Sequence, residues 1–257
     1  MDSLQVSNPT SNSGNKQADS TSKPPYLASI QIGLPKSYGE KGAADWMDRP
    51  VTTAIEKKCV NQPIWVGVNG LAGDGVGNTK IHGGPERAVL VYVAEHYKAW
   101  REELDRPDFP YGAWGENFTV TGQTEETVCI GDTYAVGNKV QIQVGHPRQP
   151  CWVLARYWRI KNLGQRLQKS GRTGWACRVL KEGYVEPNLP ITLLERPYPQ
   201  WTITRANQIM YHPRGNEAAT AELATCPLLT PEWQQIFSDR AHRGIHPDHR
   251  PRLQGPN

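Results

Sequence analysis

The chain has 257 residues, of which 37% are hydrophobic and 21% are charged, and its formal net charge is +4. This length suits one sizeable domain with a small appendage, and the composition permits a packed core. No stretch approaches the roughly 20 apolar residues of a membrane helix, and the first residues lack the apolar segment of a secretory signal. The sequence therefore predicts a cytoplasmic protein with no membrane partner.

The five cysteines and the basic residues argue against two classes of protein, structural zinc proteins and nucleic-acid-binding proteins. The cysteines are scattered, with no Cys-x-x-Cys motif, at positions 59, 129, 151, 177 and 226. This spacing argues against a structural zinc site, and an odd count in a reducing compartment favours free thiols. Four arginines cluster late in the chain: Arg240, Arg243, Arg250 and Arg252. Stacking aromatics interleaved with basic residues are lacking, so we expect no nucleic-acid partner.

The first 196 residues divide into a tail and a β-rich region. Residues 1–25 are rich in Ser, Asn, Thr and Lys, which predicts disorder. Alternating or continuous apolar patterns then predict strands over 26–32, 52–60, 64–68, 88–93, 117–120, 134–136, 140–144, 175–180 and 191–194. A helical period covers 95–104, and one or two short helices are expected in 152–169. Many short strands with Gly/Pro turns predict a β-barrel or sandwich over residues 26–196.

The pattern changes after Pro199. Three short helices are predicted over 205–211, 217–224 and 231–240, with Thr204, Asn216 and Thr230 as their N-caps. This three-helix appendage, residues 197–245, is near the size below which a domain seldom folds alone, so it should pack against the β-rich region. Residues 246–257 contain three prolines and no periodicity and are predicted to be loose.

The densest polar motif is Lys80-Ile-His-Gly-Gly-Pro-Glu-Arg87. Gly83 and Gly84, directly after His82, permit a close backbone approach to a ligand. A loop of this kind can present backbone N–H groups and a guanidinium to a phosphate. It can equally be a Gly-Gly turn followed by a surface arginine.

Two further dipeptides are candidates of lower specificity. Glu116-Asn117 precedes a predicted strand, and the pair could hydrogen-bond the donor–acceptor edge of a heterocycle or form a plain turn. Gly131-Asp132 is another turn-like dipeptide.

The motif His146-Pro-Arg-Gln-Pro-Cys151 places a cysteine just after a predicted strand. The prolines restrict the backbone around Cys151, and Arg148 would favour its thiolate if it points the same way. A thiolate is the species that ligates soft metals. The alternative is a buried structural cysteine, since free cysteines are among the most buried residues.

Five segments occur together in a recognisable order: GLAGDGVGNTKIHGGPERAVLVYVAEHY, GENFTVTG, IGDTYAVG, QVGHPRQPC and GRTGWACRVL. In this order and rough spacing they resemble MOSC-domain proteins of the YiiM type, the domain being named for the C-terminal part of molybdenum-cofactor sulfurases. The resemblance covers about residues 26–196. The three-helix tail is similar to the 3-alpha domain that follows MOSC in this subgroup.

The resemblance implies a fold, a cofactor and a set of site residues. The fold would be mainly β, a MOSC-type β-barrel with flanking short helices and a C-terminal three-helix domain. The cofactor would be the molybdenum cofactor, molybdopterin with Mo, and the family's cysteine ligand to molybdenum falls on Cys151. Pocket positions fall on Lys80, His82, Gly83, Gly84, Arg87, Glu116, Asn117, Arg148 and, less certainly, Arg178. Pyridoxal phosphate, associated with the domain at family level, is not predicted for this chain.

The resemblance also implies a reaction. Relatives reduce N-hydroxylated compounds such as hydroxylaminopurines and other hydroxylamines to amines, so a small N-hydroxylated substrate is expected. Cys151 would hold the metal, and His82 or Glu116 would relay a proton. Because the sequence shows no flavin, haem or iron–sulfur motif, electrons would come from a separate donor protein. The sequence leaves open a homodimer and an alternative function: a non-catalytic cofactor carrier or sulfur-handling module.

Overall fold

The computed structural model describes residues 24–79, 82–212 and 214–255. The strands are β1 Tyr26–Ile32, β2 Lys36–Tyr38, β3 Val51–Thr53, β4 Lys58–Val60, β5 Ile64–Gly67, β6 Gly70–Leu71, β7 Val89–Val93, β8 Phe118–Thr121, β9 Thr133–Val136, β10 Val140–Pro147, β11 Trp175–Lys181, β12 Gly183–Val185 and β13 Ile191–Glu195. The helices are α1 His96–Leu104, α2 Val153–Trp158, α3 Leu163–Ser170, α4 Ile203–Tyr211, α5 Glu217–Ala224, α6 Pro231–Arg243 and α7 Arg250–Gln254. The predicted tail over 1–25 lies almost wholly outside the described residues, as does Lys80.

The main sheet has eight strands in the order β13-β9-β10-β11-β7-β8-β1-β4. All neighbours are antiparallel except β7 and β8, which run parallel because α1 carries the chain between them. The apolar run of β7, Val-Leu-Val-Tyr-Val, suits this central position between two strands. Small sheets formed by β12-β5-β6 and β2-β3 complete the β structure.

The predicted barrel is not confirmed. The strand order of the main sheet has two ends, β13 and β4, and the ladder does not close into a barrel among the described residues. Hydrogen bonds do join the start of β1 to the segment before β13, with the Leu27 N–H donating to the Leu189 carbonyl at 2.9 Å. The architecture is therefore a mixed, sheet-dominated fold, with seven α-helices in the described ranges and a C-terminal helical domain.

One predicted strand is two strands in the structure. The expected strand over 52–60 divides into β3 and β4, because β3 pairs with β2 whereas β4 pairs with β1. The alternation continued through the break because Ala54 and Ile55, which lie between the two strands, are themselves buried.

The helical domain packs against the sheet as predicted. Ile203 and Ile209 of α4 and Trp233 and Phe237 of α6 share one buried cluster with the strands. The cap of α4 differs from the prediction: Thr202 rather than Thr204 is the N-cap, and its hydroxyl accepts from the Arg205 N–H at 3.1 Å. No helix in the described ranges is long and apolar enough to cross a bilayer.

The end of the chain departs from its prediction. Residues predicted to be loose include α7, whose cap residue Gly255 lies against the indole of Trp152. A Cβ on Gly255 would come 3.0 Å from the ring, and the residue adopts φ +83°, so glycine suits both its position and its backbone. The prediction failed because five residues carry too little periodicity, and what stabilises them lies about a hundred residues away.

Candidate functional site

Cys151 lies in the short segment between β10 and α2. Its carbonyl accepts from the Leu154 N–H at 3.3 Å. Helix α3 approaches so closely that a Cβ on Gly164 would lie 2.9 Å from that carbonyl. All five cysteines are free thiols; Cys129, Cys177 and Cys226 are buried, whereas Cys59 is exposed and Cys151 is partly exposed. Cys151 is thus held at a corner and still reaches solvent, which a metal-ligating thiol requires.

Arg148 lies beside Cys151 and is only partly satisfied by protein groups. Its backbone N–H donates to Gly174 at 3.0 Å, and Nη2 donates to the Trp114 carbonyl at 2.6 Å. Nη1 is buried and has no hydrogen-bond partner within the part of the chain that the structure describes. Burial lowers the pKa of Arg148, and the charge of Cys151 raises it in part. A buried cationic donor without an acceptor is expected where an anionic group binds.

The glycine turn brings His82 and Arg87 toward Arg148. Gly83 and Gly84 adopt φ +75° and +78°, a left-handed conformation that side chains rarely tolerate, and a 3-10 turn follows over Pro85–Arg87. Burial, together with the charges of Arg87 and Arg148, lowers the pKa of His82 to about 4. The side chain nevertheless reaches solvent. His82 therefore has a lowered pKa although its side chain is solvent-accessible, and its imidazole is neutral at pH 7.

Arg87 connects this turn to the helical domain. Its guanidinium forms an ion pair with Glu232 of α6, and Nε donates to His146 Nε2 at 3.4 Å. His146 also stacks on Trp233 of α6, with ring centroids 5.7 Å apart. The sequence did not indicate Glu232 or His146 as site residues, because their link to Arg87 exists only after the two domains pack.

Arg178 also braces the glycine turn against the helical domain. It forms an ion pair with Glu86 at 2.6 Å, and Nη1 donates to the Leu228 carbonyl at 2.8 Å. Its donors are therefore engaged by protein groups, unlike those of Arg148. A cofactor-binding role for Arg178 stays a prediction that these contacts do not favour.

Glu116 is fully buried and accepts hydrogen bonds from its own segment. Its donors are the Tyr97 hydroxyl, the Gly112 N–H at 2.7 Å, the Trp114 N–H at 3.2 Å and the Thr119 hydroxyl at 3.0 Å. These contacts hold the turn whose Trp114 carbonyl accepts from Arg148. These contacts do not favour a proton relay through Glu116, and that role stays a prediction.

Asn117 has a similar supporting role. Its amide nitrogen donates to Asp74 at 2.7 Å, and its amide oxygen accepts from the Leu90 N–H at 3.1 Å. Asp74 in turn pairs with Lys57 and accepts from the Gly33 N–H at 2.7 Å. Asn117 therefore ties β7 to the loop that precedes the glycine turn, and its predicted contact with a pterin edge stays untested.

The predicted residues fall into two groups. Electrostatic interactions link Arg148 to Cys151, and link both Arg148 and Arg87 to His82, with Gly83 and Gly84 shaping the turn. Glu116, Asn117 and Arg178 are engaged by other protein groups. A cleft of about 650 Å³ lies between α2, α3, the end of α7 and a loop that includes Trp46 and Arg49. None of the predicted residues lines it, so we do not place the chemistry there. No group of three or more His, Cys, Asp and Glu side chains suited to a metal occurs among the described residues.

The buried side chain of His146 makes the free energy of unfolding depend on pH. Burial and the charges of Arg87 and Arg178 lower the pKa of His146 well below its usual value, so it is neutral when folded. The unfolded chain binds a proton there below about pH 6.5, and the folded chain does not. The free energy of unfolding should therefore fall as pH drops below about 6.5, by up to about 1.4 kcal/mol per pH unit from this residue.

The variant His146→Gln should flatten this slope, because its amide oxygen can still accept from Arg87 but cannot be protonated. Urea unfolding at pH 7, 6 and 5 measures the effect. Equal slopes in variant and wild type would contradict the assignment of a neutral buried His146.

Comparison with known proteins agrees with this fold. The family model "MOSC domain" matches residues 78–192, and the model "YiiM-like, 3-alpha helix domain" matches residues 201–244. The class that fold and motifs define is a MOSC domain followed by three helices. The chain belongs to the family of MOSC-domain proteins of the YiiM type, which is associated with the molybdenum cofactor.

Three curated relatives are similar along most of this chain. Uncharacterized protein YflK of Bacillus subtilis is 36% identical, over 84% of this chain and 95% of its own length. Protein YiiM of Escherichia coli is 32% identical, over 79% of this chain and 91% of its own. A protein of Gibberella moniliformis named "Reductase" is 36% identical over 81% of this chain, but the match spans only 36% of that longer protein.

Solved structures agree. The crystal structure of YiiM from Geobacillus stearothermophilus has a TM-score of 0.70 and 36% identity, covering 85% of this chain and 100% of that one. The crystal structure of YiiM from Escherichia coli has a TM-score of 0.68 and 27% identity, covering 85% of this chain and 98% of that one.

Proposed function

We propose that this chain binds the molybdenum cofactor with Cys151 as the protein ligand to the metal and reduces small N-hydroxylated substrates to amines. The observation that carries the proposal is the buried Nη1 of Arg148, which has no hydrogen-bond partner among the described residues, beside the partly exposed Cys151 thiol. One soft thiolate with a cationic, anion-seeking donor next to it fits a metal cofactor that carries a phosphate.

The charged residues near Cys151 fit the same phosphate-bearing cofactor. Arg87 and Arg148 act on His82 through their charges, and of the two Arg87 is compensated by Glu232, so a bound anion would compensate Arg148. The backbone of the turn is uncovered at Gly84, where a Cβ would meet nothing within 4 Å, whereas a Cβ on Gly83 would lie 3.2 Å from the Val76 side chain. Cys151, Arg148, Arg87, His82 and the glycine turn are the groups that would hold the cofactor.

Each of these groups has a task. Arg148 and Arg87 would bind the anionic part, Cys151 would hold the metal, and neutral His82 would accept or pass a proton at its imidazole. When bound, the molybdenum centre supplies the two-electron reduction in which R–NH–OH, two electrons and two protons give R–NH₂ and water. A separate redox protein would supply the electrons, an expectation that rests on the sequence motifs described above. The free thiols fit a reducing compartment, so we place the protein in the cytoplasm.

The relative named "Reductase" supports an enzyme over the alternative, a cofactor carrier or sulfur-handling module. The test uses metal-loaded protein with a hydroxylaminopurine and a chemical electron donor, and follows the amine by chromatography. Amine formation that requires molybdenum supports the reductase. Metal-loaded protein that forms no amine, but passes its cofactor to an apo-enzyme, would favour the carrier.

Arg148 gives a more local prediction. Arg148→Gln should weaken retention of the cofactor by about tenfold or more, because one charge-assisted hydrogen bond to a buried anion is lost. Molybdenum and pterin per chain after gel filtration measure this. Arg106→Gln is the control, since Arg106 pairs with Asp108 in an exposed turn. If both variants retain equal cofactor, Arg148 does not bind the anion.

A further inference from the structure

One residue near the end of the chain contacts the backbone on both sides of Cys151. The Arg252 carbonyl accepts from the Trp152 N–H at 2.9 Å. The Arg252 guanidinium donates from Nη1 to the Pro150 carbonyl. Each bond engages one of the two peptide groups that flank the Cα of Cys151. The position of the Cys151 side chain therefore depends on Arg252.

Arg252 is itself fixed from three directions. Its Nη2 donates to Gln168 Oε1 of α3 at 2.7 Å. Its guanidinium lies 5.9 Å from the ring centroid of Tyr211 at the end of α4. The next turn of chain brings Gly255 against the Trp152 indole. Because Arg252 contacts α3 and α4, it can limit movement of the cysteine segment relative to these helices.

We propose that Arg252 is a positioning residue that holds Cys151 in the orientation needed to bind the metal. This inference rests on the proposed function, in which Cys151 is the metal ligand. A metal ligand must be kept close to its productive geometry by groups whose own positions are locked. Pro147 and Pro150, which both precede Cys151, restrict its local conformation, and Arg252 adds the tertiary contact that fixes where this segment lies.

The experiment measures the thiol directly, without the cofactor. The full chain is expressed without molybdate and treated with iodoacetamide, and alkylation of Cys151 is followed by mass spectrometry. Cys59, exposed and remote in the fold, is the internal reference. Arg252→Ala should raise the ratio of Cys151 to Cys59 alkylation by about tenfold, the change expected for losing a charge-assisted hydrogen bond.

Matched variants separate positioning from general damage. Arg250→Ala, on the same helix, removes a guanidinium that pairs only with exposed Asp248 and should leave the ratio unchanged. Arg252→Lys should give an intermediate ratio, because an ammonium lacks the fork that reaches Pro150 and Gln168 together. Gln168→Leu removes one anchor while Arg252 remains, and should raise the ratio as well, even if Arg252→Ala proves too unstable to purify.

The outcomes for the two proposals are distinguishable. Equal alkylation ratios in the Arg252, Gln168 and Arg250 variants would overturn the positioning role. A raised ratio together with faster loss of molybdenum from loaded Arg252→Ala would support it. If wild-type protein holds no molybdenum through Cys151, the proposed function fails, whereas a raised ratio would still show that Arg252 fixes the cysteine segment.

Discussion

Replacing Cys151 with serine is expected to reduce bound molybdenum from about one atom per chain to less than about a tenth, because a hydroxyl is a poor substitute for a soft thiolate ligand. Serine keeps the size of the side chain and the contacts of the segment, so folding should be unaffected. Metal analysis of protein purified from molybdate-supplied cells measures the effect, with pterin fluorescence as a second readout.

Cys59→Ser is the matched control for this variant. Cys59 is also a free thiol, and its sulfur accepts a hydrogen bond from the Ser29 hydroxyl at 3.5 Å. The Cys59→Ser variant should retain full metal content and full activity. If Cys151→Ser retains as much molybdenum and pterin as Cys59→Ser, the ligand assignment is wrong, and with it the proposed reaction.

Removing the carboxylate of Asp132 should lower the free energy of unfolding by about 3 kcal/mol, the lower part of the range for breaking a buried ion pair. Asp132 is fully buried and accepts from the Cys129 N–H at 2.9 Å and the Tyr134 hydroxyl at 2.8 Å. Arg196, a third exposed, donates to it at 2.9 and 2.7 Å. Asp132→Ala leaves these donors unsatisfied, and the exposure of Arg196 is why the lower figure is expected.

Thermal and urea unfolding measure this loss, which corresponds to about 6–12 °C in Tm for a chain of this size. Asp239→Ala is the control, because its ion pair with Arg243 lies on the surface of one helix and is worth about 0.5 kcal/mol or less. The double variant Asp132→Ala/Arg196→Met should lose less than the sum of the two single changes. Strict additivity would show that the pair does not act as a unit.

The sequence predicted the strands and helices whose residue patterns are local. The apolar run of β7 and the helical period of α1 identified those elements, because burial on both faces and on one face leave different periodicities. The order of the motifs identified the family. The turn at Gly131-Asp132 was evident, but the role of Asp132 was not, because Arg196 reaches it from 64 residues away.

The sequence did not predict which charged motif residues keep a hydrogen-bonding atom available for a ligand. Glu116 and Arg148 are both charged motif residues, and only the folded chain shows that Glu116 is surrounded by donors whereas Arg148 keeps one unpartnered. Glu232 was missed because an acidic residue in the first turn of a helix is ordinary, and its pairing with Arg87 requires two domains to pack. The spacing of Gly112 and Gly115 before Glu116 was the available signal for a carboxylate that binds its own turn.

The contact between α7 and the cysteine segment has a consequence for biosynthesis. Pro150 and Arg252 are 102 positions apart, so at the usual elongation rate the ribosome adds Arg252 roughly 5–20 s after Pro150. Throughout that interval the nascent cysteine segment lacks its tertiary anchor. If Cys151 is the metal ligand as proposed, stable insertion of the metal is expected only after translation has passed α7, and a nascent chain stalled before Arg252 should not retain the metal.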